Sequence, residues 1–183
     1  MALRKKDFPL DRVREHLETG PIVLVTSHHE GKSNVMTMGW HAMMQFAPAL
    51  FGCYIWEGNR SHDAVRASGE CVINVPTVDL LDQVIAIGNS HAEDGDKFAA
   101  TGLTPRPAKL VKAPLIAECY ANFECRLFDD AMVDEYSFFI WDVVKAHVAP
   151  LDQPPTVHYR GQGKFMVAGK ELDRSDAFKP EML

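Results

Sequence analysis

The sequence has no C-x-x-C pair: Cys53, Cys71, Cys119 and Cys125 stand apart, each inside an apolar or strand-like run. Zinc ribbons and redox dithiols need that close spacing, so buried free thiols are the expectation. Its eight histidines include no H-E-x-x-H or comparable ligand spacing, and no metal is expected. No G-x-G-x-x-G follows the first strand-like run, which removes the usual nicotinamide fold. Long hydrophobic runs are missing too. Phe138 to Val144 is already broken by Asp142, far short of the roughly 20 residues that span a bilayer. Positive charge is scarce, with 19 Lys and Arg against 25 Asp and Glu, a net charge of −6 spread over both halves. That argues against a nucleic-acid footprint, which needs a basic face. Arg4, Lys5 and Lys6 lead into the charged Asp11-Arg12-Val13-Arg14-Glu15 instead of an apolar segment with a cleavage site, so a cytoplasmic location is expected.

What is present has the balance of one domain spanning residues 1–183, with 46% hydrophobic and 24% charged residues. Leu10, Val13 and Leu17 share a face of a short helix that stops at Gly20-Pro21. The β-branched run 22–27, turn chemistry at Glu30-Gly31-Lys32 and an alternating run from Asn34 to Trp40 predict a hairpin. A third strand is expected over Ala49 to Ile55, and a helix opens at Asn59-Arg60-Ser61 and ends by Gly69. Cys71 to Val75 is a strand ended by Pro76, after which Leu80, Leu81, Val84, Ile85 and Ile87 recur at helical spacing up to Gly88. A further helix follows Asp94 and closes at Gly102, and Pro105, Pro107 and Pro114 mark an irregular connection. The second half is mostly strand: 115–128, a turn at Asp129-Asp130, then 137–148, with a last short strand at Phe165 to Ala168. Helices do not follow every strand, so a doubly wound sheet does not fit. A mainly β Greek-key barrel with added helices does.

Four segments occur in a telling order: Gly31 to Trp40, Asn59-Arg60-Ser61, Gly69 to Pro76, and Asp96-Lys97-Phe98. With Gly102-Leu103-Thr104-Pro105, the strand Glu118 to Cys125 and a late His158-Tyr159-Arg160-Gly161-Gln162-Gly163, the chain resembles the flavin reductase-like family of FMN-binding split barrels, especially its flavoredoxin branch. The resemblance covers most of the chain. It implies FMN as cofactor, NADH or NADPH as reductant, and a homodimer with the flavin near the subunit interface. Where relatives often read Ser-Gly ahead of the Asp-Lys-Phe, this chain has Ser90-His91.

An FMN site must neutralise a phosphate dianion, hydrogen-bond the ring edge and offer a flat apolar surface. Asn59, Arg60 and Ser61 at a helix start offer N–H groups, a hydroxyl and a fixed charge, and Lys97 adds a second charge. Ordinary N-capping is the other reading of Asn59 and Ser61. Alternation puts Asn34, Met36, Met38 and Trp40 on one strand face and Val35, Thr37 and Gly39 on the other. Backbone groups of this strand would meet the ring edge, Thr37 would add a hydroxyl, and Gly39 would permit close approach. Trp40 reads as a flavin contact, or else as a core or dimer-interface aromatic. Ser90 and Phe98 complete the expected cofactor contacts, while His91 lines the substrate side or is a solvated loop histidine. The acids Asp63, Asp94 and Asp96 near helix starts complement helix dipoles. No catalytic side chain is assigned, because hydride transfer between stacked rings relies on positioning.

The function so implied is NAD(P)H-dependent reduction of free flavin or another acceptor. A flavoredoxin-like electron carrier served by a redox partner protein is one rival, and a split barrel holding haem or a pyridoxal-type cofactor another. Apolar strand surface at Phe138, Phe139, Ile140 and Trp141 is the expected dimer contact.

Overall fold

The β-branched run does become a strand, β2 (Val23–His29), which turns through Glu30 and Gly31 into β3 (Lys32–Met38) in the computed structural model. Residues 3–13, 20–91, 95–177 and 179 are described. Glu30 and Gly31 have φ of 49° and 74°, the left-handed pair that a two-residue hairpin turn requires. The turn fixes the register, pairing His29 with Lys32 and Val23 with Met38.

The other large-sheet strands are β1 (Lys6–Phe8), β4 (His41–Gln45), β5 (Leu50–Tyr54), β6 (Glu70–Val75), β9 (Ala121–Asp129) and β10 (Phe138–Val148). Their order is β3-β2-β6-β9-β10-β5-β4, with β1 added beside β10, and every pairing is antiparallel. The pairs β2–β6 and β5–β10 are far apart in sequence, which gives the Greek-key ordering. Short ribbons join β7 (Pro105–Arg106) to β8 (Leu115–Ile116) and β11 (Val157–Tyr159) to β12 (Phe165–Val167).

Four α-helices are described: α1 (Arg60–Ser68), α2 (Leu81–Gly88), α3 (Lys97–Thr101) and α4 (Val133–Tyr136). Helix α1 buries Ser61, His62 and Val65 and ends where Gly69, at φ 65°, donates to the Val65 carbonyl. Asp96 caps α3, its Oδ1 accepting from Phe98 N at 2.9 Å and Ala99 N at 3.3 Å. One core lies inside the sheet around Phe51, Phe123, Phe139 and Trp141. A second, around Leu24, Val35, Val84, Ile87 and Phe98, fills the space between β2–β3 and helices α2 and α3.

Several expectations change. The first helix is a 3-10 turn at Leu10–Arg12, and residues 14–19 of that expected helix lie outside the described residues, as does Asp94. Strands β1, β4, β7 and β11 were not expected. The apolar surface at 138–141 is largely covered by the chain itself: Phe139 and Trp141 are fully buried, and Phe138 and Ile140 are half-buried. The cause is that β10 sits inside the sheet, flanked by β9 and β5, so its alternate residues point into the first core. Large apolar side chains exposed instead include Trp40, Met44, Phe46 and Trp56, on and around the edge strand β4. No described helix is long and apolar enough to cross a membrane.

Candidate functional site

Strand β3 ends the sheet path, pairing only with β2 among the described strands. Because Lys32 faces His29 across the tight turn as a hydrogen-bonded pair, alternation turns the backbone N–H and C=O of Ser33, Val35 and Thr37 away from β2. This open edge runs between two helices, and β3's own side chains fasten it to both. Asn34 Nδ2 donates to Ser61 Oγ of α1 at 3.1 Å, and Thr37 Oγ1 donates to the Val84 carbonyl of α2 at 2.7 Å.

The cleft along that edge holds about 130 Å³ and is lined by Asn34, Met36, Thr37, Gly58, Asn59, Arg60, Ser61, Ile87, Gly88, Ser90, His91 and Lys97. Two cationic side chains, Arg60 and Lys97, share it, and none of its described lining residues is a carboxylate. Lys97 is only 9% exposed, with Nζ donating to the Ser90 carbonyl at 3.0 Å. Ser61 is 2% exposed. Asn59 holds the N-cap position of α1 but makes no side-chain capping bond. A buried lysine beside an arginine, a hydroxyl and the first turn of a helix suits an anion.

Asn34, Met36, Thr37, Asn59, Arg60, Ser61, Ser90, Lys97 and His91 are thus brought together from four separate stretches of sequence. Met38, Gly39, Trp40 and Phe98 are not. Met38 and Phe98 are buried, one in each core, because the strand and helix faces that carry them turn inward. At Gly39 a Cβ would lie 2.9 Å from Ile22 Cδ1, so the missing side chain makes room for the core rather than for a ligand. Trp40 lies beyond the end of β3, 73% exposed, with its ring 5.4 Å from that of Tyr54. The Thr37 hydroxyl proton is already committed to Val84, which leaves only its lone pairs for a ligand.

Sequence reasoning missed Gly58, Ile87 and Gly88 as lining residues. Gly58 directly precedes Asn59-Arg60-Ser61 and Gly88 ends the periodic pattern of α2, and those positions were the available signal. A larger cavity of about 430 Å³ at the β2–β3 turn and the end of α1 mixes Glu30 and Glu70 with Lys112, His28 and His29, and gathers none of the expected residues.

No cysteine is among the described residues of the cleft. All four cysteines are free and buried, and burial pushes the Cys53 thiol up to about 12 despite a hydrogen bond from Trp141. Burial also lowers the pKa of His41, outside the cleft, where Nε2 lies 2.6 Å from the Pro21 carbonyl. His62 is buried edge-on against Phe139.

The molecule is thus an antiparallel Greek-key β protein whose open edge strand borders a cleft with Arg60 and Lys97 among its described lining residues. The chain belongs to the family described as flavin reductase like domain, whose model matches residues 16–165. An FMN-binding domain of a flavin reductases-like enzyme from Shewanella baltica is similar at a TM-score of 0.87 and 25% identity, over 94% of this chain and 98% of that one. Flavoredoxin of Desulfovibrio vulgaris shares the fold at a TM-score of 0.77 and 21% identity, over 85% of this chain and 90% of its own. The reductase component of a 4-nitrophenol 4-monooxygenase/4-nitrocatechol 2-monooxygenase from Rhodococcus opacus is 26% identical over 165 residues, 86% of this chain and 83% of that protein. The fold is the mainly β split barrel with added helices that the sequence led us to expect, and flavoredoxins are among the structures that share it.

Proposed function

We propose that this chain binds FMN in the β3 cleft and acts as an NAD(P)H-dependent oxidoreductase that reduces free flavin or another acceptor. The observation that carries the reading is that Arg60 and the buried Lys97 line one cleft together with the Ser61 hydroxyl at the start of α1. A phosphate monoester brings about −1.5 to −2 charges at neutral pH and several acceptor oxygens, which suit a guanidinium, an ammonium and a hydroxyl donor. Arg60, Ser61 and Lys97 would hold that phosphate, Asn59 and Ser90 the polar chain, and the outward N–H and C=O groups of Val35 and Thr37 the edge of the ring. Met36 and Ile87 supply apolar wall. The similar Shewanella baltica domain is FMN-binding, and the Rhodococcus opacus relative is a reductase component.

The bound flavin would supply the exchange of two electrons with a nicotinamide. The chain's own part is placement. Asn34 and Thr37 tie β3 to both helices, so the cleft is braced before a ligand arrives. The cleft's 130 Å³ falls below the roughly 300–1,000 Å³ of a complete small-molecule pocket. It fits the phosphate end, and the remaining surface of a flavin would need cover from elsewhere. A second copy of this chain, seated on the exposed aromatics around Trp40, supplies that cover in our reading, which makes the protein a homodimer. Four buried free thiols suit a reducing, cytoplasmic setting.

Anaerobic titration of the flavin-loaded protein with NADH and with NADPH tests the reaction. Bleaching of the flavin absorbance by either nucleotide is expected. A flavin that stays oxidised with both identifies a flavoredoxin-like carrier that takes its electrons from a protein partner, and protein without flavin absorbance points to another ligand.

A further inference from the structure

We propose that Asn34 is a positioning residue that fixes the direction of the Ser61 hydroxyl and so makes the cleft selective for a phosphate monoester; the proposal rests on the flavin-phosphate reading above. Ser61 sits in the first turn of α1, almost wholly buried, and its oxygen accepts the Asn34 amide at 3.1 Å. A hydroxyl has one proton and two lone pairs. With a lone pair held by Asn34, the proton is left to be donated, and the described lining of the cleft into which Ser61 opens includes the cationic side chains Arg60 and Lys97. The nearby Ser90 carbonyl already accepts from Lys97. An anion with several acceptor oxygens is the partner this arrangement suits.

The opposite polarity would work against the site. Were residue 34 an acceptor, Ser61 would turn its proton toward β3 and present lone pairs to the incoming anion. Asparagine and aspartate are nearly isosteric, yet a carboxylate can only accept. Asn34 sits on the strand and Ser61 on the helix, so the direction of the helix's hydroxyl is set from β3.

The test measures dissociation constants of FMN and riboflavin, by quenching of flavin fluorescence, for wild type, Asn34→Ala, Ser61→Ala, the double variant and Asn34→Asp. Loss of one charge-assisted hydrogen bond predicts about a tenfold weaker FMN affinity for Ser61→Ala. Asn34→Ala should weaken FMN to a similar extent, and the double variant no further than either single one. Asn34→Asp should cost more than about a hundredfold, since it reverses the hydroxyl and adds a like charge. Riboflavin affinity should change by less than about twofold in every case, because riboflavin lacks the phosphate. Should Asn34→Asp fail to fold, the cycle between Asn34→Ala and Ser61→Ala carries the test. Additive losses in the double variant, or losses shared equally by riboflavin, overturn the role of Asn34 while leaving the cleft's FMN preference intact. Wild type that binds riboflavin as tightly as FMN overturns the phosphate reading, and this proposal with it.

Discussion

His147 Nε2 lies 2.7 Å from Glu124 Oε1, pairing β10 with β9 on a carboxylate that has no exposed surface. The same carboxylate accepts the backbone N–H of Lys109 at 3.0 Å and of Leu110 at 2.6 Å. One buried side chain therefore pins the proline-marked connection between α3 and β9 onto the sheet. Removing it leaves two backbone N–H groups and a buried imidazole without their acceptor. Glu124→Ala should cost about 3–5 kcal/mol of unfolding free energy, read from a urea melt, and Glu124→Gln less, since the amide still accepts once. A melt unchanged by Glu124→Ala would remove the pinning role.

The same group sets an acid limit on stability. Burial pushes the Glu124 pKa up, but the hydrogen bonds from His147, Lys109 and Leu110 together outweigh it and leave the carboxyl below its ordinary value. A folded-state pKa below the unfolded one stabilises the protein above the unfolded value. That stabilisation is lost as pH falls from the ordinary glutamate range, about 4.3, through the lower folded value. Wild type should accordingly lose stability on acidification below about pH 4.3, and Glu124→Gln should lose less over the same interval. Parallel acid titration curves for the two proteins would contradict this.

At the cleft, replacing Arg60 or Lys97 with Ala should weaken FMN binding by about 1–3 kcal/mol each while riboflavin changes little. Lys97 should show the larger effect, because it is buried and its charge is less screened. Both variants retaining wild-type FMN affinity would mean that the anion sits elsewhere.

The parts of this site that were legible in the sequence are those with local chemistry. The turn at Glu30-Gly31, the stop at Gly69 and the start of α1 each rest on a backbone requirement that a few residues express. Strand β4 carries no such mark. Its residues His-Ala-Met-Met-Gln contain no β-branched side chain, and it is largely exposed at the sheet edge, so no alternation of buried residues shows. Alternation along β3 correctly separated Met36 from Thr37 but could not say which side chains on one face reach a cleft and which reach a core. Asn34 and Met38 share a face, yet one meets Ser61 and the other is buried among β-sheet side chains. That distinction depends on α1, whose position over β3 is a tertiary fact.

Trp40 illustrates the same limit and carries a prediction. Its ring lies outside the cleft and is exposed, as are Met44, Phe46 and Trp56, large apolar side chains of the kind that contact surfaces gather. If a second copy covers it, light scattering at micromolar concentration should report a dimer. Trp40→Glu should shift that dimer to monomer and lower flavin content while leaving the fold intact by circular dichroism. A wild-type monomer that keeps its flavin would exclude a site completed by a second copy.

The last prediction concerns His91, which lines the cleft from an exposed position just after α2. Phosphate contacts in our reading come from Arg60, Ser61 and Lys97, and ring-edge contacts from the β3 backbone, so His91 is not needed to hold FMN. A side chain at the rim instead narrows the approach to whatever reacts with the bound ring. His91→Gly should leave FMN content unchanged and lower or raise the Michaelis constant for the nicotinamide or the acceptor by a factor of about three to ten, equivalent to about 0.7–1.4 kcal/mol of altered binding. Steady-state kinetics with saturating FMN measure it directly. A changed Michaelis constant with turnover preserved marks His91 as a selectivity residue at the rim. Unchanged constants for both substrates would make it a solvated loop histidine, and a loss of FMN would place it in the cofactor site.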